Sequence, residues 1–278
     1  MCNDTGVTST AAGFRRVELT LAGCVPATLL RPATPRGLIL FSNGFGAPRE
    51  EAVPPGVAQN PISPPLVTGL LGAGYDVLVP ENPAHGERLA QGETTVDTLL
   101  ASFRGEAPNV LDTMQHETIA LVDDLLARGI GTAGRIAAIG HSWGGLATLL
   151  RLAGDPRIGV GIALIPVVDP RCLDSLKPCA SGPVLSRFEL SGRLAPVLAD
   201  RPLLIVTGAA DAVAPAALTR ATVAAIRVQG NPTALSHIEL AGVGHEFTPE
   251  QLAVSLEWLD RHLPHDHPTS NGAKDGHA

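Results

Sequence analysis

The sequence predicts an α/β fold with a mostly parallel central sheet and helices on both faces. Three observations point there. From Phe14 to Leu263, short apolar runs rich in β-branched residues alternate with helical patterns, the order in which crossover helices cover a parallel sheet. The run Gly37-Leu-Ile-Leu-Phe-Ser42 is apolar at successive positions, as a strand buried on both faces must be. Finally, two residues alone, His141 and Ser142, separate an apolar run over 135–140 from a helical pattern that starts at Trp143.

Taken in order, residues 15–21 and 25–30 read as a strand pair turning near Ala22-Gly23, and 37–42 as the first buried strand. Residues 43–65 are rich in proline and glycine without periodicity, which predicts a surface loop of a length usually tied to function. Ser63 is expected to cap, and Pro64 to open, a helix through Leu71 that Gly72 and Gly74 end. A strand over 75–80 and a second long loop over 81–109 follow, the loop carrying a short helix near 96–103. Val110, Leu111, Met114, Thr118, Leu121, Val122, Leu125 and Leu126 recur at helical spacing before Gly129.

Beyond the 135–140 strand and a helix over 143–153, strands are expected at 160–168 and 202–207, with an insertion over 169–201 between them that is long enough for a small lid. A proline-started helix over 215–228, a last strand over 237–240 and an amphipathic helix over 249–263 close the chain. The organisation predicted is therefore one domain over 14–263, flanked by disordered segments over 1–13 and 264–278; the second of these is polar and has no apolar periodicity.

Of the 278 residues 45% are hydrophobic, sufficient for one large core. A net charge of −7, with 20 Lys and Arg scattered along the chain, provides no basic stripe for a polyanion and excludes nucleic acid as a partner. The first twelve residues have neither the basic start nor the apolar stretch of a secretory signal. No uninterrupted apolar run approaches the ~20 residues of a membrane span, so no membrane association and a cytoplasmic location are expected. Cys2, Cys24, Cys172 and Cys179 are too few and scattered for a disulfide framework or zinc site. They are read as free thiols, with a Cys172–Cys179 pair as the alternative, and no metal or cofactor is expected. His262, His265 and His267 lie at the chain end without a scaffold for a metal.

The chemistry is carried by Gly140-His141-Ser142-Trp143-Gly144-Gly145, a G-x-S-x-G placed where a strand turns at once into a helix. Such a turn excludes large residues on its inner side and raises the serine hydroxyl above the sheet edge. In that context the chain resembles the α/β-hydrolase superfamily over nearly all of 14–263, and within it the small-esterase and dienelactone-hydrolase branch, from which it departs by having Ser142 in place of a cysteine. The resemblance implies the chain order nucleophile, acid, histidine. It places the acid at Asp211, in Leu203-Leu-Ile-Val-Thr-Gly-Ala-Ala-Asp211 before a proline-started helix, with Asp169 as the competitor. It places the histidine at His245, in Gly242-Val-Gly-His245.

A serine hydroxyl is a poor nucleophile near neutral pH and needs a base to accept its proton. His245 is assigned that role, and Asp211 that of orienting the imidazole. The oxyanion formed by attack on a carbonyl needs backbone N–H donors. Trp143 N–H is one, and the resemblance of Asn43-Gly44-Phe45-Gly46 to an H-G-x-G loop implies Phe45 N–H as the other, with Gly46 in reserve. Asn82-Pro83-Ala84-His85-Gly86 resembles the superfamily's P-x-H-G-x segment, which implies a packed, structural His85.

The reaction expected is hydrolysis of a small-molecule ester or acyl substrate through an acyl-enzyme. The same triad also suits a peptidase or thioesterase, the fold hosts non-hydrolytic cyclases and lyases, and a non-catalytic binding protein is a further alternative. Ligands of open α/β sheets bind at the carboxyl ends of the strands, so both long loops, Trp143 and residues 170–200 are expected to wall the pocket. An aromatic content of 3% argues against a stacking site for rings or sugars. A homodimer is left open.

Overall fold

The computed structural model of the protein describes residues 7–9, 13–54, 60–230 and 234–264. Among the described residues, nine strands form one sheet. β1 (Val7–Ser9), β2 (Arg15–Leu21) and β3 (Val25–Arg31) make an antiparallel flank. The parallel part comprises β4 (Leu38–Ser42), β5 (Asp76–Pro80), β6 (Ile136–His141), β7 (Ile158–Leu164), β8 (Leu203–Gly208) and β9 (Leu235–Leu240). Their order across the sheet is β1-β2-β3-β5-β4-β6-β7-β8-β9, with β3 antiparallel to β5.

The apolar runs are long because the central strands are covered twice. Leu38, Leu40, Ile136 and Ala138 face one core, while Ile39, Phe41, Ala137 and Ile139 face the other. The first core is closed by α2 (Thr95–Arg104), α3 (Val110–Ala127), α4 (Trp143–Gly154), α5 (Leu190–Leu198) and α6 (Ala216–Arg227). The second is closed by α1 (Ser63–Gly72) and α7 (Pro249–His262). Each Leu- or Ile-sized side chain buried this way contributes about 1.5–3 kcal/mol, so the two-sided pattern sets the strand register as well as the strand's existence. Among the described residues no helix is long and apolar enough to cross a membrane.

Several details depart from the sequence reading. Val7–Ser9 pairs with β2 as an edge strand, inside a stretch expected to lack structure. The rest of 1–12 and 265–278, where disorder was also expected, lies outside the described residues, as does Cys2. Ser63 is the first residue of α1 and not its cap: the cap position is Ile62, without a side-chain bond, and the Ser63 hydroxyl donates instead to Asn43 Oδ1. The insertion over 169–201 is not a free flap. It holds 3-10 turns at Pro170–Cys172, Asp174–Cys179 and Leu185–Arg187, then α5, which packs against α4 and α6. Cys172 and Cys179 are separate free thiols.

The tightest packing is at the β6–α4 junction. A Cβ on Gly144 would overlap the Ser42 carbonyl oxygen at the end of β4, whereas one on Gly72 would meet nothing within 4 Å. Gly144→Ala is therefore expected to lower stability by about 3 kcal/mol or more, and Gly72→Ala to leave it unchanged or raise it by about 0.5–1 kcal/mol; urea midpoints of the two variants check the pair.

Candidate active site

The short connection between β6 and α4 forces Ser142 into φ +56°, ψ −119°. A left-handed φ is costly for a residue with a Cβ, and the surroundings hold it there. Ser142 N–H donates to Leu164 O at 2.9 Å, and Ser142 O accepts from Gly145 N–H and Val167 N–H, both at 3.0 Å. Gly140 and Gly144 let β6, α4 and the end of β4 meet without side chains between them, and a Cβ on Gly145 would lie 2.8 Å from the Pro166 side chain.

The three residues assigned from sequence come together in one hydrogen-bonded file. His245 Nε2 lies 2.8 Å from Ser142 Oγ, and His245 Nδ1 lies 2.8 Å from Asp211 Oδ2. The second carboxylate oxygen of Asp211 accepts from Val213 N–H at 2.9 Å and Ala214 N–H at 2.8 Å, which fixes the plane of the carboxylate. The Asp211 side chain is fully buried and that of His245 is 17% exposed. The loops that deliver acid and base are tied together: Ala209 N–H donates to Leu240 O and Ala210 N–H to Val243 O, both at 2.9 Å. Gly208 makes that approach feasible, because a Cβ there would press on the Val243 and Gly244 backbone. Asp169 is elsewhere, paired with Arg171 at 2.7 Å and capping the Pro170–Cys172 turn.

Above the serine, the loop after β4 is held from beneath. Asn43, in place of the histidine common in the resembling loops, is buried; its Nδ2 donates to Pro48 O at 2.8 Å, and its Oδ1 accepts from Asn60 Nδ2 at 3.2 Å and from Ser63 Oγ. Asn82 Nδ2 donates to Asn43 O at 3.4 Å. His85 is fully buried; its Nδ1–H donates to Pro83 O at 2.9 Å, so its Nε2 is the acceptor for Gly46 N–H at 3.1 Å. Gly46 N–H, the reserve oxyanion donor, is thereby taken, whereas Phe45 N–H makes no hydrogen bond among the described residues. Trp143 N–H, in the first position of α4, has no intrahelical acceptor.

Residues 44–47, Glu51 and residues 60–62 line a cavity of about 460 Å³ over His141, Ser142 and His245, with Leu173 and Val213 on its other walls. Two expectations are corrected here. Trp143 does not wall the cavity: its ring is fully buried, edge-on to Phe45 at 5.7 Å. The loop after β5 contributes no lining either; it acts from below through His85. Of the insertion, Leu173 alone reaches the lining. Ser63, Asn60 and Glu51 were missed by the sequence reading. Ser63 was taken for a cap because serine before proline is the ordinary start of a helix, and a polar residue inside a Pro/Gly loop has no periodic signal to mark it.

Buried titratable groups surround the file. Burial pushes His85 down to about 4 and His141 down to about 3, so both are uncharged near neutrality. Glu81, whose Oε1 accepts from Arg49 N–H at 3.1 Å, is pushed up to about 7 by burial. Among the described residues, no group of three or more His, Cys, Asp or Glu is placed to hold a metal ion.

Sheet order, elbow and file together define the α/β-hydrolase class of serine hydrolases. A family model for the prolyl oligopeptidase family matches residues 112–266, a span that contains Ser142, Asp211 and His245, and the chain belongs to that family. Among solved structures it is similar to TT1662 from Thermus thermophilus, at 21% identity over 89% of this chain and 97% of that one, TM-score 0.68. It is similar to a cold-adapted esterase from an Arctic intertidal metagenomic library, at 18% identity over 95% and 100%, TM-score 0.68. An S-formylglutathione hydrolase from Agrobacterium tumefaciens is 15% identical over 94% and 100%, TM-score 0.65. No curated protein matches the sequence.

Two predictions follow from this geometry. Asp211→Asn is expected to lower kcat by about 10³–10⁴-fold, while Asp169→Asn, which loses a partly exposed ion pair, stays within about threefold of wild type; turnover of one ester by both variants decides between the two acids. For stability, the unfolded chain binds two protons near 6.5 at positions 85 and 141 that the folded protein refuses, which makes stability fall as pH drops below 6.5. Glu81 works the other way, since the folded protein keeps a proton that the unfolded chain loses near 4.5. Two groups outweigh one, so urea unfolding should show stability rising between pH 4.5 and 6.5, more steeply in Glu81→Gln.

Proposed function

We propose that the protein is a carboxylic-ester hydrolase that works through an acyl-enzyme on Ser142. The observation that carries the reading is the unbroken file from Ser142 Oγ through His245 to Asp211, at 2.8 Å in both steps. In this reading Ser142 Oγ attacks the ester carbonyl as His245 Nε2 takes its proton. Asp211 accepts from Nδ1–H and stabilises the imidazolium that forms. Trp143 N–H and Phe45 N–H receive the developing oxyanion. The imidazolium then returns its proton to the departing alkoxide, and a water activated by the same imidazole releases the acid.

The structural likeness to an esterase supports an ester over an amide, and the likeness to an S-formylglutathione hydrolase supports a thioester as the nearest alternative. Membership of a family named for a peptidase supports a second reading, hydrolysis of a peptide bond by the same residues. Free thiols at Cys24, Cys172 and Cys179 support a cytoplasmic setting.

A fluorophosphonate probe is expected to label the wild type and not Ser142→Ala, and kcat/KM for a nitrophenyl ester to fall by about 10⁴–10⁶-fold in that variant. Against matched anilides and thioesters, the ester should give the highest kcat/KM. An anilide preference would replace the esterase reading with the peptidase one, and an unlabelled wild type would remove both.

A further inference from the structure

Among the described residues, one side chain on the lining of the cavity, apart from its histidines, carries a charge: Glu51. It sits in the 3-10 turn Arg49–Ala52 and is half-buried. The rest of the lining is apolar or neutral, with Phe45, Pro61, Ile62, Leu173 and Val213 on the walls. Two guanidiniums lie in this region: that of Arg49, in the same 3-10 turn, and that of Arg16, which reaches the neighbouring Glu50 from β2. Both are engaged. Arg49 pairs with Glu18 at 2.6 Å, Glu50 at 2.8 Å and Glu87 at 3.0 Å, and Arg16 pairs with Glu18 and Glu50 at 2.6 Å.

Three carboxylates thus share two guanidiniums, and none is left over for Glu51. Its carboxylate makes no hydrogen bond or ion pair among the described residues. Residues 55–59, which follow it closely, read Pro-Gly-Val-Ala-Gln and bring no charge of their own. His141, on the cavity floor, is kept uncharged by burial. Among the described residues, a carboxylate without a cationic partner therefore lines the cavity over Ser142.

We propose that Glu51 is a specificity-determining residue and that the substrate is an ester carrying a cationic nitrogen, of the ammonium class, beside its scissile bond. The inference rests on the esterase reading above and deepens it. A carboxylate on an apolar, half-enclosed wall is less screened than one in open water. It attracts an ammonium into the cavity and repels a carboxylate or phosphate. A single charge pair at this depth is expected to favour the cationic substrate by about tenfold in kcat/KM.

The test uses two isosteric pairs. One compares the nitrophenyl ester of γ-trimethylammoniobutyrate with its all-carbon isostere, in which carbon replaces the charged nitrogen. The other compares butyrylcholine with its all-carbon isostere and so moves the charge to the alcohol side. The ratio of kcat/KM, cationic over neutral, is expected to be about ten in one of the pairs. Glu51→Gln should bring that ratio close to one, and raising ionic strength from about 0.02 to about 0.5 M should shrink it in the wild type, which a purely steric preference would not do. Ratios near one in both pairs, or a ratio that Glu51→Gln leaves intact, would overturn the inference. If Ser142-dependent turnover of the neutral esters persisted in that case, the esterase reading would stand without it. Failure of the wild type to hydrolyse any of the four would remove both.

Discussion

The left-handed turn at Ser142 is the constraint on which the other parts of the site depend. A residue with a Cβ in this region costs about 1–3 kcal/mol, and Ile165, a β-branched residue at φ +39°, adds a second strained position beside it. The two strains support one another. β7 ends by turning at Ile165 so that Leu164 O receives Ser142 N–H and Val167 N–H reaches Ser142 O. Relaxing either turn breaks the bonds that hold its neighbour, so the serine stays raised above the sheet. The same junction sets where the loop after β4 departs, because Gly144 rests against the carbonyl of Ser42, the last residue of β4.

Electrostatically, the site is built over uncharged ground. His85 and His141 lie under the loop and under the serine, and burial keeps both imidazoles neutral. That state is also the one the geometry requires. A protonated His85 would have no lone pair for Gly46 N–H, and the loop would lose the bond that ties it to the segment after β5. On the proposed reading, a neutral floor leaves the proton transfer from Ser142 to His245, beside the Asp211 carboxylate, as the main change of charge in the cavity, which suits a reaction whose barrier is set by a developing oxyanion.

What was legible in the sequence divides along a physical line. Strands buried on both faces produce continuous apolar runs, so β4 to β8 and the helices α1 to α4 were readable from pattern alone, whereas α5 lies inside the stretch read only as an insertion. The elbow was readable because its backbone demands glycine at fixed offsets from the serine, and Asp211 and His245 were assigned through the resemblance that the elbow brings, which expects an acid and a histidine after the last two strands. The described parts of the loop after β4, 43–54 and 60–62, were not readable. Their order comes from Asn43, Asn60 and Ser63 bonding one another across up to 20 residues, and such bonds leave no period. The reading of Ser63 as a cap failed for this reason, since a distant acceptor outcompeted the local one. Trp143 failed differently: a large aromatic beside a nucleophile suggests a pocket wall, but as the first residue of α4 it points into the core between sheet and helix.

The division also separates two kinds of work. Ser142, Asp211 and His245, proposed to carry the reaction, stand in short connections just beyond the ends of β6, β8 and β9, where backbone bonds fix them. Residues that line the cavity stand mainly on the loop after β4, whose polar side chains split into two groups. Asn43, Asn60 and Ser63 are engaged in holding the loop's shape, and Glu51 is free of that duty because Arg49 and Arg16 are neutralised by other carboxylates. A substitution at Glu51 therefore alters the charge of the cavity without loosening the loop, whereas one at Asn43 would loosen the loop and disturb the oxyanion donors with it. Selectivity in this fold can shift at a cavity-lining position such as Glu51 while the hydrogen-bonded file of Ser142, His245 and Asp211 stays as it is.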